Sequence, residues 1–175
     1  VAMSGLGLPV PAGFVVPTSA CREYLDHGWT DDLEQLVSDG ISRLEASGGR
    51  RLGDSMAPLL VSVRSGAAVS MPGMMDTALN VGMTTDVDAR FAADTYRRAM
   101  VSYAEVVGGA PRALIDQLPT ADADLDVDAC AAAILSVLGN DLYAVPDDPR
   151  QQILHSVRAV FDSWTGSRAQ VYRAE

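Results

Sequence analysis

The sequence predicts an α+β fold, mixed over residues 1–85 and almost wholly helical over 86–175. Three observations point there. One apolar, partly β-branched run, Leu59-Leu60-Val61-Ser62-Val63-Arg64, reads as a strand. Apolar residues recur at helical spacing before it and, more persistently, from about Val87 onward. Gly and Pro punctuate the ends of these runs.

Taken in order, the opening Gly5–Gly13 stretch is rich in Gly and Pro and leads into Phe14-Val15-Val16, a short strand signal stopped by Pro17. Thr18 or Ser19 is placed to cap a helix to about Leu25, which Gly28 ends. Thr30 is the next N-cap, and Asp31 and Asp32 sit in the first turn, where the helix dipole favours negative charge. Leu33, Leu36, Val37, Ile41 and Leu44 follow at helical spacing until Gly48-Gly49. The Leu59–Arg64 strand has the composition of one buried on both faces.

A long loop then runs from Ser65 to about Asp76, and Thr77–Met83 carries no decisive pattern. Phe91, Tyr96, Ala99, Tyr103 and Val106 form a helical stripe broken at Gly108-Gly109. Pro111 opens a short helix to Leu118, and another runs from about Asp124 to Leu138 before Gly139-Asn140. Pro149 suits the first turn of a last long helix whose apolar face is Ile153, Leu154, Val157, Val160, Phe161 and Trp164, with Ser167 capping one more turn. The two predicted regions are therefore 1–85 and 86–175.

Composition excludes several functions. The 13 basic residues are all Arg, so the chain supplies no Schiff-base lysine, P-loop lysine or Ser–Lys pair. A net charge of −10 is the opposite of a nucleic-acid footprint. The longest apolar runs, such as Leu59–Val63, fall far short of the ~20 residues a spanning helix needs, so no membrane association is expected. Val1-Ala2-Met3-Ser4 lacks a signal-peptide pattern, and a cytoplasmic protein is expected. Cys21 and Cys130 form no C-x-x-C pair and read as reduced, buried thiols. The absence of Met at position 1, and an end directly after a helical pattern, read as a piece of a longer protein.

Most chemical motifs fail on inspection. The Asp122-x-Asp124-x-Asp126-x-Asp128 alternation has EF-hand spacing at its start, but Val127 stands where Gly is needed and Ala133 where Glu is needed. It reads as a solvated helix start. His27 and His155 lie in no metal-binding spacing, and Gly5-x-Gly7 lacks the third glycine of a dinucleotide fingerprint. Arg97-Arg98 is within reach of Asp94 for ion pairing along a helix.

One segment stands apart. The run Val61-Ser62-Val63-Arg64-Ser65-Gly66-Ala67-Ala68-Val69-Ser70-Met71-Pro72-Gly73-Met74-Met75-Asp76-Thr77 ends a strand in an Arg and continues into small residues and methionines. Arg offers a planar fork of donors suited to phosphate oxygens. Small residues let a ligand approach the backbone amides, and methionines supply an adaptable surface. The same residues also suit an Arg paired with a neighbouring carboxylate beside a Met-rich core edge. Physical chemistry alone leaves these two readings level.

This segment resembles the nucleotide domain of the pyruvate phosphate dikinases, through Ser62-Val63-Arg64-Ser65-Gly66-Ala67, Ser70–Thr77 and Leu79-Asn80-Val81-Gly82. The resemblance extends through Gly7–Phe14 and Ala20-Cys21-x-x-Tyr24 before it. After it, Arg90-Phe91-Ala92-x-Asp94-x-Tyr96-Arg97-Arg98 and Val160-Phe161-x-Ser163-Trp164-x-x-x-Arg168-Ala169-x-Val171-Tyr172-Arg173 also match. Related phosphoenolpyruvate synthases share the V-R-S core but follow it with a different, acidic stretch.

The resemblance implies a partial ATP-grasp subdomain with a short mixed sheet over 1–85. A helical subdomain over 86–175 would lead back towards a second ATP-grasp half. It implies MgATP as cofactor, with Arg64 binding the ATP phosphates and Ser65 and Gly66 offering further contacts. No catalytic residue and no metal ligand is expected within the chain. The parent would pass the β-phosphate of ATP to a histidine on another domain and then to pyruvate on a third, as a homo-oligomer. The family's phosphate-binding lysine, in a G-G-K-G stretch, is expected before Val1, and its magnesium-holding carboxylates after Glu175. The stretch between Gly82 and Arg90 is shorter than is usual in the family. The isolated chain is accordingly expected to be inactive. Rival readings are a phosphoenolpyruvate synthase, another swivelling phosphotransferase such as an antibiotic phosphotransferase, or a noncatalytic nucleotide-sensing or interaction remnant.

Overall fold

The computed structural model describes residues 6–7, 10–66, 75–86, 93–120, 126–138 and 145–174. The chain divides into two compact units, Val1–Arg50 and Arg51–Glu175.

The first unit is a helix pair. Helix α1 (Thr18–His27) starts after Pro17, whose carbonyl accepts from the Ala20 N–H, and stops at Gly28 with φ of 80°. The N-cap is therefore Pro17 with no side-chain cap, not Thr18 or Ser19 as expected, because both hydroxyl residues already lie inside the helix. Helix α2 (Asp31–Gly48) begins where Thr30 Oγ1 accepts from the Leu33 N–H at 3.3 Å, as its sequence implies. It ends at left-handed Gly49, whose N–H reaches Glu45 O. Leu33, Val37, Gly40, Ile41 and Leu44 form its buried face. The predicted Phe14–Val16 strand is not present: these residues pair with no strand, Val15 is exposed, and the Phe14 ring lies directly over Gly40. A strand signal needs a partner edge, and this unit offers none among its described residues.

The second unit packs a two-stranded antiparallel sheet against helices, in place of the short mixed sheet expected. Strand β1 (Val61–Arg64) pairs with β2 (Thr77–Val81) in the register Val61↔Val81, Val63↔Ala78 and Arg64↔Thr77. One extra β2 residue is accommodated between the first two pairs, and Asn80 takes the positive φ of 54° there. This bulge breaks the alternation that would have marked Thr77–Val81 as a strand. Burial along β1 alternates between half-buried and exposed positions, so the expectation of burial on both faces is corrected. The helix Pro149–Ser163 packs on this strand, and the strand's alternate residues Ser62 and Arg64 are exposed.

Helix α3 (Ala93–Val106) lies against β2 and against α5 (Val127–Leu138). Tyr96, Ala99, Met100 and Ala104 of α3 meet Cys130, Ile134 and Leu138 of α5 in the core, and the short α4 (Arg112–Ile115) adds Ile115. Helix α6 (Pro149–Ser163) carries the expected Pro in its first turn and an Asp148 cap, whose Oδ1 accepts from the Arg150 N–H. It packs on both strands and on α3, and α7 (Ser167–Ala174) follows it. Neither Cys21 nor Cys130 forms a disulfide, and Cys130 is buried while Cys21 is half-buried. Among the described residues no helix is long and apolar enough to cross a membrane.

Candidate functional site: the loop end of the hairpin

Arg64 is the last residue of β1 and is exposed, Ser65 behind it is half-buried, and Gly66 is exposed. This is the loop end of the hairpin. Arg64 leaves β1 directly opposite Thr77, so the loop that departs after Arg64 returns at Asp76. The structure thus keeps the three predicted residues together at one sheet end. Ala67 to Met74 of the singled-out segment, including most of the Met71–Asp76 loop, lie outside the described residues. Among the described residues no carboxylate forms a salt bridge with Arg64, whereas Asp94 pairs with both Arg97, at 2.9 Å, and Arg98, at 2.7 Å. The start of the Asp122–Asp128 alternation also lies outside the described residues, while Asp126 Oδ1 caps α5 through the Ala129 N–H.

Beside the hairpin's loop end lies a groove of about 400 Å³. Asp76, the Gly108-Gly109 turn and His155, Arg158, Asp162 and Ser163 of α6 line it. Its lining mixes the cation Arg158 with the acids Asp76 and Asp162. His155 Nδ1 lies 2.9 Å from the Tyr103 hydroxyl. Burial, aided by the Arg158 charge, lowers the His155 pKa, which favours the neutral ring. Burial also raises the Tyr103 phenol well above its ordinary value and moves Tyr96 up to about 12. Burial raises the Cys130 thiol too, so that side chain serves packing rather than nucleophilic chemistry.

Two polar residues of α6 hold the hairpin from behind. The Asp76 N–H donates to Ser163 Oγ at 3.3 Å, and the Ser163 hydroxyl donates to Val160 O at 2.7 Å. At the other end of β2, Gln152 Oε1 accepts from the Gly82 N–H at 3.0 Å, and its amide nitrogen donates to Met83 O and Pro146 O at 2.9 and 2.8 Å. Gln152 is only 2% exposed. Gly82 is required beside it: its φ is 107°, and a Cβ there would stand 2.8 Å from Leu59 O. Sequence reading passed over Gln152, Ser163 and the His155–Tyr103 pair. The one available signal was a glutamine bordering the otherwise apolar stripe of α6.

Residues 29–175 match the family model described as pyruvate phosphate dikinase, AMP/ATP-binding domain. The chain is 40% identical over 195 residues to the chloroplastic pyruvate, phosphate dikinase of Flaveria trinervia. It is 39% identical over 202 residues to the pyruvate, phosphate dikinase of Clostridium symbiosum and 39% over 195 residues to that of Rhizobium meliloti (strain 1021). Each match covers 98% of this chain and 20–22% of the relative, so the chain spans about a fifth of the length of these proteins.

Proposed function

Because the chain belongs to the pyruvate phosphate dikinase AMP/ATP-binding domain family, we propose that it forms one arm of the ATP site of a pyruvate phosphate dikinase. The observation that carries this reading is the exposed Arg64 at the loop end of the hairpin, with no carboxylate partner among the described residues. An exposed guanidinium beside backbone of small residues is suited to bind phosphate oxygens bidentately. Its task is electrostatic: it neutralises charge on the transferring phosphoryl group and holds the polyphosphate in line. The Ser65 hydroxyl and the Gly66 backbone add shorter-range contacts.

In this reading residues 1–85 belong to an ATP-grasp subdomain and 86–175 to a helical one. The parent enzyme transfers the β-phosphate of ATP to a histidine of another domain. AMP is left, and the γ-phosphate joins inorganic phosphate as pyrophosphate. The phosphohistidine then phosphorylates pyruvate to phosphoenolpyruvate on a further domain. Magnesium would accompany the nucleotide and shield its phosphate charge, with its ligands expected in other parts of the parent. A cytoplasmic homo-oligomer completes the reading, and the chain alone, with one arm of the site, does not turn over.

Arg64→Ala in the full-length protein tests it. ATP-dependent phosphohistidine formation is expected to disappear while the melting temperature moves little, because the side chain is exposed. Retained phosphorylation would overturn the assignment.

A further inference from the structure

We propose that Ser163 is a positioning residue for the Arg64 arm, anchoring the returning end of the loop that Arg64 begins. The inference rests on the reading of Arg64 given above and adds to it the group that holds the arm in place. Arg64 and Thr77 form the last rung of the hairpin, and Asp76 is the next residue outward. This rung is the last one before the loop, so its hold depends on what anchors the returning strand. Here the Asp76 N–H is held by Ser163 Oγ across 87 positions of sequence. The same hydroxyl is itself oriented by its bond to Val160 O, which turns an oxygen lone pair toward the strand.

The other end of β2 is held by Gln152 of the same helix. The two spans agree. Gln152 and Ser163 are about 16 Å apart along α6 at about 1.5 Å per residue. Asp76 and Gly82 are about 20 Å apart along extended chain at about 3.3 Å per residue. Helix α6 therefore runs alongside β2 as a splint, with side-chain-to-backbone bonds from Gln152 at one end and from Ser163 at the end that carries Arg64.

Loss of this bond frays the rung and lowers the fraction of molecules with Arg64 in place. ATP, which binds the ordered form, restores it at saturation. Such a defect raises the apparent dissociation constant in inverse proportion to the ordered fraction that remains and spares the saturated rate. One neutral hydrogen bond corresponds to a three- to fivefold effect, roughly.

The test is steady-state kinetics of the full-length enzyme carrying Ser163→Ala or Ser163→Thr, with Arg64→Ala alongside. Ser163→Ala is expected to raise KM for ATP about three- to fivefold with kcat retained. Ser163→Thr, which keeps the hydroxyl, is expected to restore the parental KM, and KM for pyruvate is expected to stay unchanged throughout. An unchanged KM for ATP in Ser163→Ala, or a rise that Thr does not reverse, overturns the positioning role while leaving Arg64 in place. Full ATP use by Arg64→Ala overturns the reading of Arg64 itself, and the positioning role falls with it.

Discussion

Replacing Gln152 by Leu is expected to unfold the second unit far more readily than a surface substitution would, because the side chain satisfies three backbone groups on two segments. Leu keeps roughly the volume but removes both the acceptor for the Gly82 N–H and the donors to Met83 O and Pro146 O. Gly82 and Met83 are buried, so their groups lose a partner without gaining water, whereas Pro146 is half-buried and its carbonyl can be hydrated. At about 2 kcal/mol for each orphaned buried group, the two together cost about 4 kcal/mol. In a chain of 175 residues, about 3 °C per kcal/mol translates this into a melting temperature lower by about 12 °C. Circular dichroism melts measure it. A loss below about 3 °C would refute the reasoning, since the three short bonds would then contribute no net stability.

Gln152→Glu sharpens the same test through pH. An ionised carboxylate would face two carbonyl oxygens, so burial raises its folded pKa above the unfolded value of about 4.3. The protonated form is the compatible one, so the variant's stability is expected to fall as pH rises from about 4.3 through the folded pKa. The Leu variant's deficit is expected to stay flat over that range. A Glu variant with the same deficit at every pH would contradict the buried geometry.

Two further predictions follow from the packing. The folded His155 pKa is lowered, so below about pH 6.5 the unfolded chain binds a proton that the folded chain resists. Stability is therefore expected to fall as pH drops through that region, and His155→Gln to flatten the slope in urea titrations; an unaltered slope would remove His155 as its source. Gly40→Ala should be destabilising although Ala is the better helix former by about 1 kcal/mol, because the new Cβ would stand 2.5 Å from the Phe14 ring. In a Phe14→Ala background the same change should turn neutral or stabilising, and an equal penalty in both backgrounds would refute the contact.

What could be read from the sequence was local. Thr30 caps a helix because its hydroxyl reaches an amide three residues on, and Gly49 ends that helix because Gly adopts the left-handed conformation at little cost. Asp94 sits one helical turn from both Arg97 and Arg98, so its two ion pairs needed no knowledge of the fold. The strand ending in Arg64, and the small residues after it, were likewise visible as a motif. Strand partners were another matter. Phe14–Val16 had the composition of a strand and no edge to join, and Thr77–Val81 joined one despite the Asn80 bulge that hid its alternation.

The sequence by itself determined most of the helices, the Thr30 cap and the Gly49 stop, the candidate Arg64 and the family resemblance, since each depends on residues within a few turns of one another or on a contiguous motif. Only the tertiary structure decided which strand meets which and how much of β1 stays exposed. It also decided that Gln152 and Ser163 grip the two ends of β2 from 70 and 87 positions away. The physical reason is that a hydrogen bond between distant segments leaves no periodic trace in the chain. Its donor and acceptor become neighbours only after the apolar face of α6 has been buried against the hairpin.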